Sequence, residues 1–305
     1  MTRVLRLLET LAIGGGSLFP ITHTRGDLRG AVALAIFCGL AGCQDRVAEP
    51  KAAKVMDNKI ITLADRNSGY SAGPEQWKEF LACWSRAELE RHRDLLRETP
   101  DMPHLPLLGK SSVDSPHQSI DDISASTDKL EKSLGVPLPR SYRDFLLAHN
   151  PPVLRPQAVA WGTTLLGMYA PSQVGRVRLL DPEGAKLAER YPIEKPDQEY
   201  FVYGARQDDA HARTRYIPDA IVVGRYGSSS YELILLYPQV RTADGEMEAA
   251  IHYHSGEFRA PSFAELMRQL SILETKAVDH VPPYPQTMLK GTCADKLPMV
   301  NVWWE

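Results

Sequence analysis

The sequence predicts an α+β fold: helices first, then a β-meander, then a closing helix. Three observations carry this. Between Trp77 and His149, apolar residues recur at i, i+3, i+4 and i+7, the spacing of one helical face. From residue 220 to 255 the chain changes to short β-branched or aliphatic runs bounded by turn residues. From Ser262 the helical spacing returns. Such an order implies a mixed or antiparallel sheet with helices packed on it.

The elements follow in turn. In GPEQWKEFLACW, residues Trp77, Phe80, Leu81 and Trp84 form one stripe, and Pro74 suits a first helical turn. Ser85-Arg-Ala-Glu88 has the spacing of a capping box and predicts a second helix, to about Arg97. Two tryptophans on one stripe predict packing against the domain that follows. TPDMPHLPLLGKSSVDSPHQ, rich in Pro and Ser, reads as an irregular linker.

Ile123, Thr127, Leu130 and Leu134 then share a helical face, with Gly135 as the stop. A further helix begins near Pro139, presents Tyr142, Phe145, Leu146 and His149, and ends at Asn150-Pro151-Pro152. Asp181-Pro182-Glu183 opens a short helix with a capping residue and a first-turn proline. AIVVGR (220–225) and YELILLY (231–237) read as strands joined by a Gly-Ser-Ser-Ser turn, the second apolar on both faces and so central. EAAIHYHS (248–255) alternates, with Ile251 and Tyr253 on one face and His252 and His254 on the other. Ser262-Phe-Ala-Glu265 is another capping box, and Phe263, Leu266, Met267 and Leu270 form its helix's apolar stripe.

At 43% hydrophobic and 24% charged residues, the composition is that of an ordinary globular protein. A net charge of −3 provides no basic footprint, so nucleic acid is not an expected partner. Four of the arginines lie in residues 1–43 against two acids, which leaves the remainder slightly more acidic and suited to a basic partner. None of the four cysteines has C-x-x-C spacing, which removes zinc-ribbon and thioredoxin readings. Cys83 and Cys293 read first as independent thiols, and as a disulfide pair if the compartment is oxidising.

AVALAIFCGLAGC is too short to cross a bilayer, which takes about 20 apolar residues. It is long enough for the hydrophobic core of a signal peptide, and Arg25 and Arg29 precede it. Leu40-Ala41-Gly42-Cys43 resembles the bacterial lipoprotein cleavage box, in which the cysteine thiol takes the lipid. The polar QDRVAEPKAAK that follows reads as a tether. By that resemblance Cys43 is the lipidation site, the functional start codon lies downstream of Met1, and Gln44 directs the protein to the periplasmic side of the outer membrane. A cytoplasmic protein is the alternative.

The helix–LP–helix run Leu134-Gly135-x-x-Leu138-Pro139-x-x-Tyr142-x-x-Phe145-Leu146 resembles the signature of the SUKH superfamily. That superfamily includes a fungal cell-wall synthesis regulator and many bacterial toxin-immunity proteins. The hairpin at 224–236 and Ala260-Pro-Ser-Phe263 before the last helix extend the likeness over about residues 119–272. The chain differs at Asn150-Pro151, where the family has Asn-Gly, and in an insert over 194–216. The expected layout is a signal peptide (1–42), a tether (43–73), a helical extension and linker (74–118), a SUKH-like domain (119–272) and a tail (273–305).

The resemblance implies a non-enzymatic protein that binds and neutralises a cognate protein toxin, with no cofactor. Oligomeric state is left open. The expected interface residues are Tyr200, Phe201, Tyr203, Tyr226 and Tyr231, with Asp208 and Asp209 facing a basic partner. Tyr231 reads equally well as core. An envelope-maintenance or regulatory lipoprotein is one alternative. A metal-dependent hydrolase using His252 and His254, with a third ligand from His211 or Asp279-His280, is another. An exposed strand face accounts for the two histidines better, and a turn accounts better for Ser228, Ser229 and Ser230, which lack a nucleophile-elbow motif.

Overall fold

Helix α1 (Pro74–Arg91) sends Trp77, Phe80 and Trp84 inward, all with no exposed surface. It is one helix, not two. Ser85 and Glu88 fall inside it, because the stripe begun at Trp77 continues to bury its residues and leaves no reason for a break. The computed structural model describes residues 63–91, 93, 119–149, 166–208, 213–226, 232–253, 256–275 and 291–298. The predicted extension of a helix to Arg97, the linker, the signal peptide and the 227–231 turn lie outside them. Contacts divide the chain after Met56, and every described residue belongs to the second unit, Asp57–Glu305.

Helix α2 (Ile120–Leu134) ends at Gly135 as its sequence indicates, and a capping box that the sequence reading did not include opens it. Ser119 accepts from the Asp122 backbone at 3.1 Å, and Asp122 returns the bond. Gly135 closes it at φ 68°, a left-handed position that a side chain would strain. Helix α3 (Arg140–His149) buries Tyr142, Phe145 and Leu146. Its N-terminus is capped from a distance: Glu246 accepts from the Ser141 backbone N–H at 2.9 Å and from the Ser141 hydroxyl.

The strands are β1 (Leu166–Met168), β2 (Gly175–Arg176), β3 (Ile221–Tyr226), β4 (Leu233–Arg241), β5 (Met247–Tyr253) and β6 (Gly256–Ala260). They form one six-stranded sheet in the order β1-β3-β4-β5-β6, with β2 also on β3. Every pairing is antiparallel. The all-apolar run of β4 sits in the middle, where both faces are covered. The missing side chain at Gly224 lets β1 approach β3 closely: a Cβ there would lie 2.7 Å from the Gly167 carbonyl oxygen, and the pairing of β3 with β4 shifts register at the same place.

The first face of the sheet carries Ile221, Val223, Ile234, Leu236, Ile251 and Phe258. Against it pack α1, α3 and helix α7 (Phe263–Thr275). Their meeting point is aromatic. The Phe263 ring lies 5.0 Å from Tyr142, 5.2 Å from Phe145 and 5.7 Å from Trp77. The segment 66–70 joins this layer through hydrogen bonds from Ser68 to Asp244 and from Tyr70 to Asp144.

The second face carries Val222, Leu235, Tyr237 and Ala250. Over it lie α4 (Val177–Leu180), α5 (Pro182–Arg190), α6 (Asp197–Tyr200) and a 3-10 turn at Thr214–Asp219. The described residues of the second unit are thus three-layered. The strand face that carries His252 is covered at Glu248 and Ala250, where the 194–216 insert and the two helices before it lie on the sheet, while His252 at its end keeps 26% of its side chain exposed. Among the described residues, no helix is long and apolar enough to cross a membrane.

Candidate protein-binding surface

Beneath the second layer is a buried ionic network. Glu248 on β5 and Arg259 on β6 are both fully buried, with Arg259 Nη1 3.6 Å from Glu248 Oε2. Two tyrosines from the insert satisfy the carboxylate: Tyr200 donates to Glu248 Oε1 at 2.5 Å, and Tyr203 donates to Oε2. Burial raises the Glu248 pKa even so, Arg259 and the two hydroxyls opposing the shift. The Tyr200 ring lies between two guanidiniums, 4.0 Å from Arg259 Cζ and 4.2 Å from Arg213 Cζ. Arg213 is itself tied to Asp197 at 2.5 Å and to the Lys195 carbonyl. Next along the sheet, buried Glu257 accepts from the Tyr237 hydroxyl and lies 3.0 Å from His252 Nδ1.

This arrangement corrects two expected interface residues. Tyr200 and Tyr203 are 0% and 3% exposed, with their hydroxyls committed to Glu248. They hold the insert on the sheet and offer no surface to a partner. Phe201 is half-buried, its ring 5.1 Å from that of Tyr200. Tyr226 is half-buried at the end of β3, against the opposite core. Asp208 is exposed but paired with Lys195. Among the described residues, the expected ones therefore form no common exposed surface. Asp209, Tyr231 and Cys43 lie outside the described residues, as do His211, His254, Asp279 and His280. Among the described residues no three His, Cys, Asp or Glu side chains gather in a way that could hold a metal ion. Cys83 and Cys293 are joined by a disulfide, their Cα atoms 5.5 Å apart.

The outer side of the second layer has the opposite character. Helix α5 is capped by Asp181, which accepts from the Gly184 backbone at 3.0 Å. It turns small residues inward, Ala185 and Ala188, and leaves Leu187 58% exposed. Tyr191, one turn on, is 61% exposed. In α4, Val177 is buried while Leu179 and Leu180 point out at 73% and 49%. Ile193 follows in the next loop. Five of the six large exposed hydrophobics among the described residues thus fall within 179–193. Salt bridges Lys186–Glu183, Arg178–Asp219 and Arg215–Glu194 surround them. An apolar centre with a charged rim is how a protein-binding face is built.

The sequence carried a signal for this face that went unread: in GAKLAERY the small residues occupy one stripe and Leu187 and Tyr191 another, at i and i+4. The buried charges gave weaker notice, visible only as Glu248 and His252 sharing one face of an alternating strand.

The family model described as SMI1 / KNR4 family (SUKH-1) matches residues 121–269. No curated protein and no solved structure matches the chain.

Proposed function

We propose, for a chain whose residues 121–269 belong to the SMI1 / KNR4 family (SUKH-1), an immunity role: it binds a cognate toxin and neutralises it by occlusion. One observation supports this above the rest. Helix α5 keeps alanines for its own core and gives Leu187 and its C-terminal cap, Tyr191, to solvent, which costs solubility unless a partner covers them. The exposed side chains are apolar and sit on helical segments, and a face of that kind suits covering a partner's surface. The toxin acts in the envelope, and the chain meets it there as an outer-membrane lipoprotein anchored at Cys43.

The experiment pairs the chain with the secreted product of the neighbouring gene. Leu187→Asp with Tyr191→Asp is expected to weaken binding on the order of 100-fold. Because both side chains already face water, stability should shift by less than about 0.5 kcal/mol each. Unchanged affinity and undiminished protection in that variant would remove this face from the reading. A growth defect on deletion in monoculture, with no toxin present, would instead favour a regulatory lipoprotein. For the anchor, Cys43→Ala and cell fractionation decide: a variant that stays with the membrane like its parent excludes lipidation.

A further inference from the structure

The outward stripe of α5 is Glu183, Lys186, Leu187 and Arg190, spaced i, i+3, i+4 and i+7, and all four are exposed. Its charges are ordered along the helix, with Glu183 in the first turn and Arg190 in the last. Among the described residues, Glu183 is held by Lys186 of its own helix at 2.7 Å, and the two side chains are 82% and 65% exposed. An ion pair so open to water contributes little and can rearrange. Arg190 has no ion pair among the described residues. Leu179, Leu180, Tyr191 and Ile193 leave further apolar surface on the neighbouring segments.

We propose that this face pairs with the same face of a second copy of the chain, the two α5 helices running antiparallel about a two-fold axis that passes between Lys186 and Leu187. Reversing one copy of the stripe matches every position. Glu183 of each chain meets the partner's Arg190, and Leu187 of each meets the aliphatic stem of the partner's Lys186. The Lys186 ammonium already turns to Glu183 of its own chain, so the two lysines beside the axis are neutralised. Parallel helices would set acid against acid and arginine against arginine, which selects the antiparallel arrangement. Covering the five exposed hydrophobics of 179–193 on both copies removes roughly 1,000 Å² from water, the size at which specific interfaces begin. A pair of that size is reversible, and this sets its role. The second copy shields the face until a tighter partner takes it. That last step rests on reading the face as the toxin's docking surface, whereas the pairing itself does not.

Sedimentation velocity of the full chain over a dilution series tests the pairing. The parent should pass from two copies to one as it is diluted. Glu183→Arg alone and Arg190→Glu alone each set like charges together at both ends of the interface, and each should weaken pairing on the order of tenfold or more. An equimolar mixture of the two variants should pair again, because every reversed charge then faces an opposite one. Recovery in the mixture also shows that each single variant is folded. A parent that remains a single copy at every concentration overturns the proposal. So do single reversals that pair like the parent, or a mixture that stays as weak as its components. The secreted product of the neighbouring gene separates this proposal from the toxin reading. Its failure to bind a chain that pairs removes the toxin reading alone, and its binding to a parent that never pairs removes the pair alone. The complex it forms should hold one copy of the chain, and a complex that keeps the α5 pair intact would overturn the shielding role.

Discussion

The side chain of Gln207 pairs with the backbone of Arg259 as a neighbouring strand would. Its Oε1 accepts from the Arg259 N–H at 2.6 Å, and its Nε2 donates to the Arg259 carbonyl at 2.9 Å. Arg259 lies on β6, the outermost strand of the sheet, where unpaired backbone groups invite another chain. One side-chain amide thus closes that edge, and the insert that carries it serves as its guard.

Gln207→Ala opens this edge. The two lost hydrogen bonds should cost about 1–3 kcal/mol, since they leave backbone groups unsatisfied. The more telling effect is association: in light scattering the variant should grow with concentration beyond the parent's two-copy limit. Gln207→Glu separates pairing from coverage, because a carboxylate can accept from the Arg259 N–H but cannot donate to its carbonyl. It should lie between the two. An alanine variant with unchanged scattering and unchanged stability means that Gln207 does not guard the edge.

Glu248 and Arg259 form the other relation on which the second layer rests. Each is fully buried, so removing either one strands the other. Glu248→Ala should cost about 3–5 kcal/mol, as expected for one partner of a buried pair. It also frees the hydroxyls of Tyr200 and Tyr203. Glu248→Gln keeps the shape and part of the bonding and should cost less. Urea denaturation followed by tryptophan fluorescence measures both. The aromatic Trp77–Phe263 contact belongs to the opposite core, so near-native fluorescence with loosened exchange at 197–206 would be the mark of a local effect.

The two layers were unequally legible in sequence, and the reason is physical. Trp77, Trp84, Tyr142 and Phe145 lie on helices long enough for a 3.6-residue period to declare itself, and each is buried. The run 233–237 announced a central strand because it had no polar face. Alternation of Glu248, Ala250 and His252 could not say whether their face met water or another layer. Apart from the nine-residue α5, the covering layer is built from two four-residue helices and short 3-10 turns, too brief for any period. Tyrosines in such a segment look exposed until the carboxylate they satisfy is known. The Ser85 capping box misled for a related reason: its residue types are tolerated inside a helix whose apolar stripe continues, and stripe burial outweighs a local cap.

Gly224→Ala tests the close approach of β1. The added methyl would sit 2.7 Å from the Gly167 carbonyl oxygen, a backbone atom that cannot swing aside. The expected loss is about 1–3 kcal/mol, in the range of overpacked sites. Because β1 is a three-residue edge strand, it should detach before the sheet fails. Rapid hydrogen exchange at Met168 and Tyr169, with β4 still protected, is the expected signature. Uniform loss of protection across the sheet would instead make Gly224 a global determinant.

Two titratable groups at opposite ends of α3, buried Glu246 and half-buried His149, should oppose each other as pH changes. Burial raises Glu246 to about 7, helped by Asp244 and Asp144 and resisted by its bonds to Ser141. Burial lowers His149 to about 4, where its ring packs 5.1 Å from Phe145. For Glu246 the folded state holds the proton longer than the unfolded chain. Its contribution is therefore fully present below about pH 4.5 and is lost as pH rises through about 7. A shift of that size corresponds to about 3 kcal/mol. For His149 the sign is reversed: its contribution is present above about pH 6.5 and is lost as pH falls through about 4. Between these limits the two contributions should nearly cancel. Glu246→Gln, which can still accept from the Ser141 N–H, removes one slope and should leave stability rising with pH from about 4 to 6.5. His149→Gln removes the other and should leave it falling from about 4.5 to 7. Urea midpoints at half-unit intervals of pH resolve the two slopes. Parallel curves for parent and both variants would show that neither group is linked to folding.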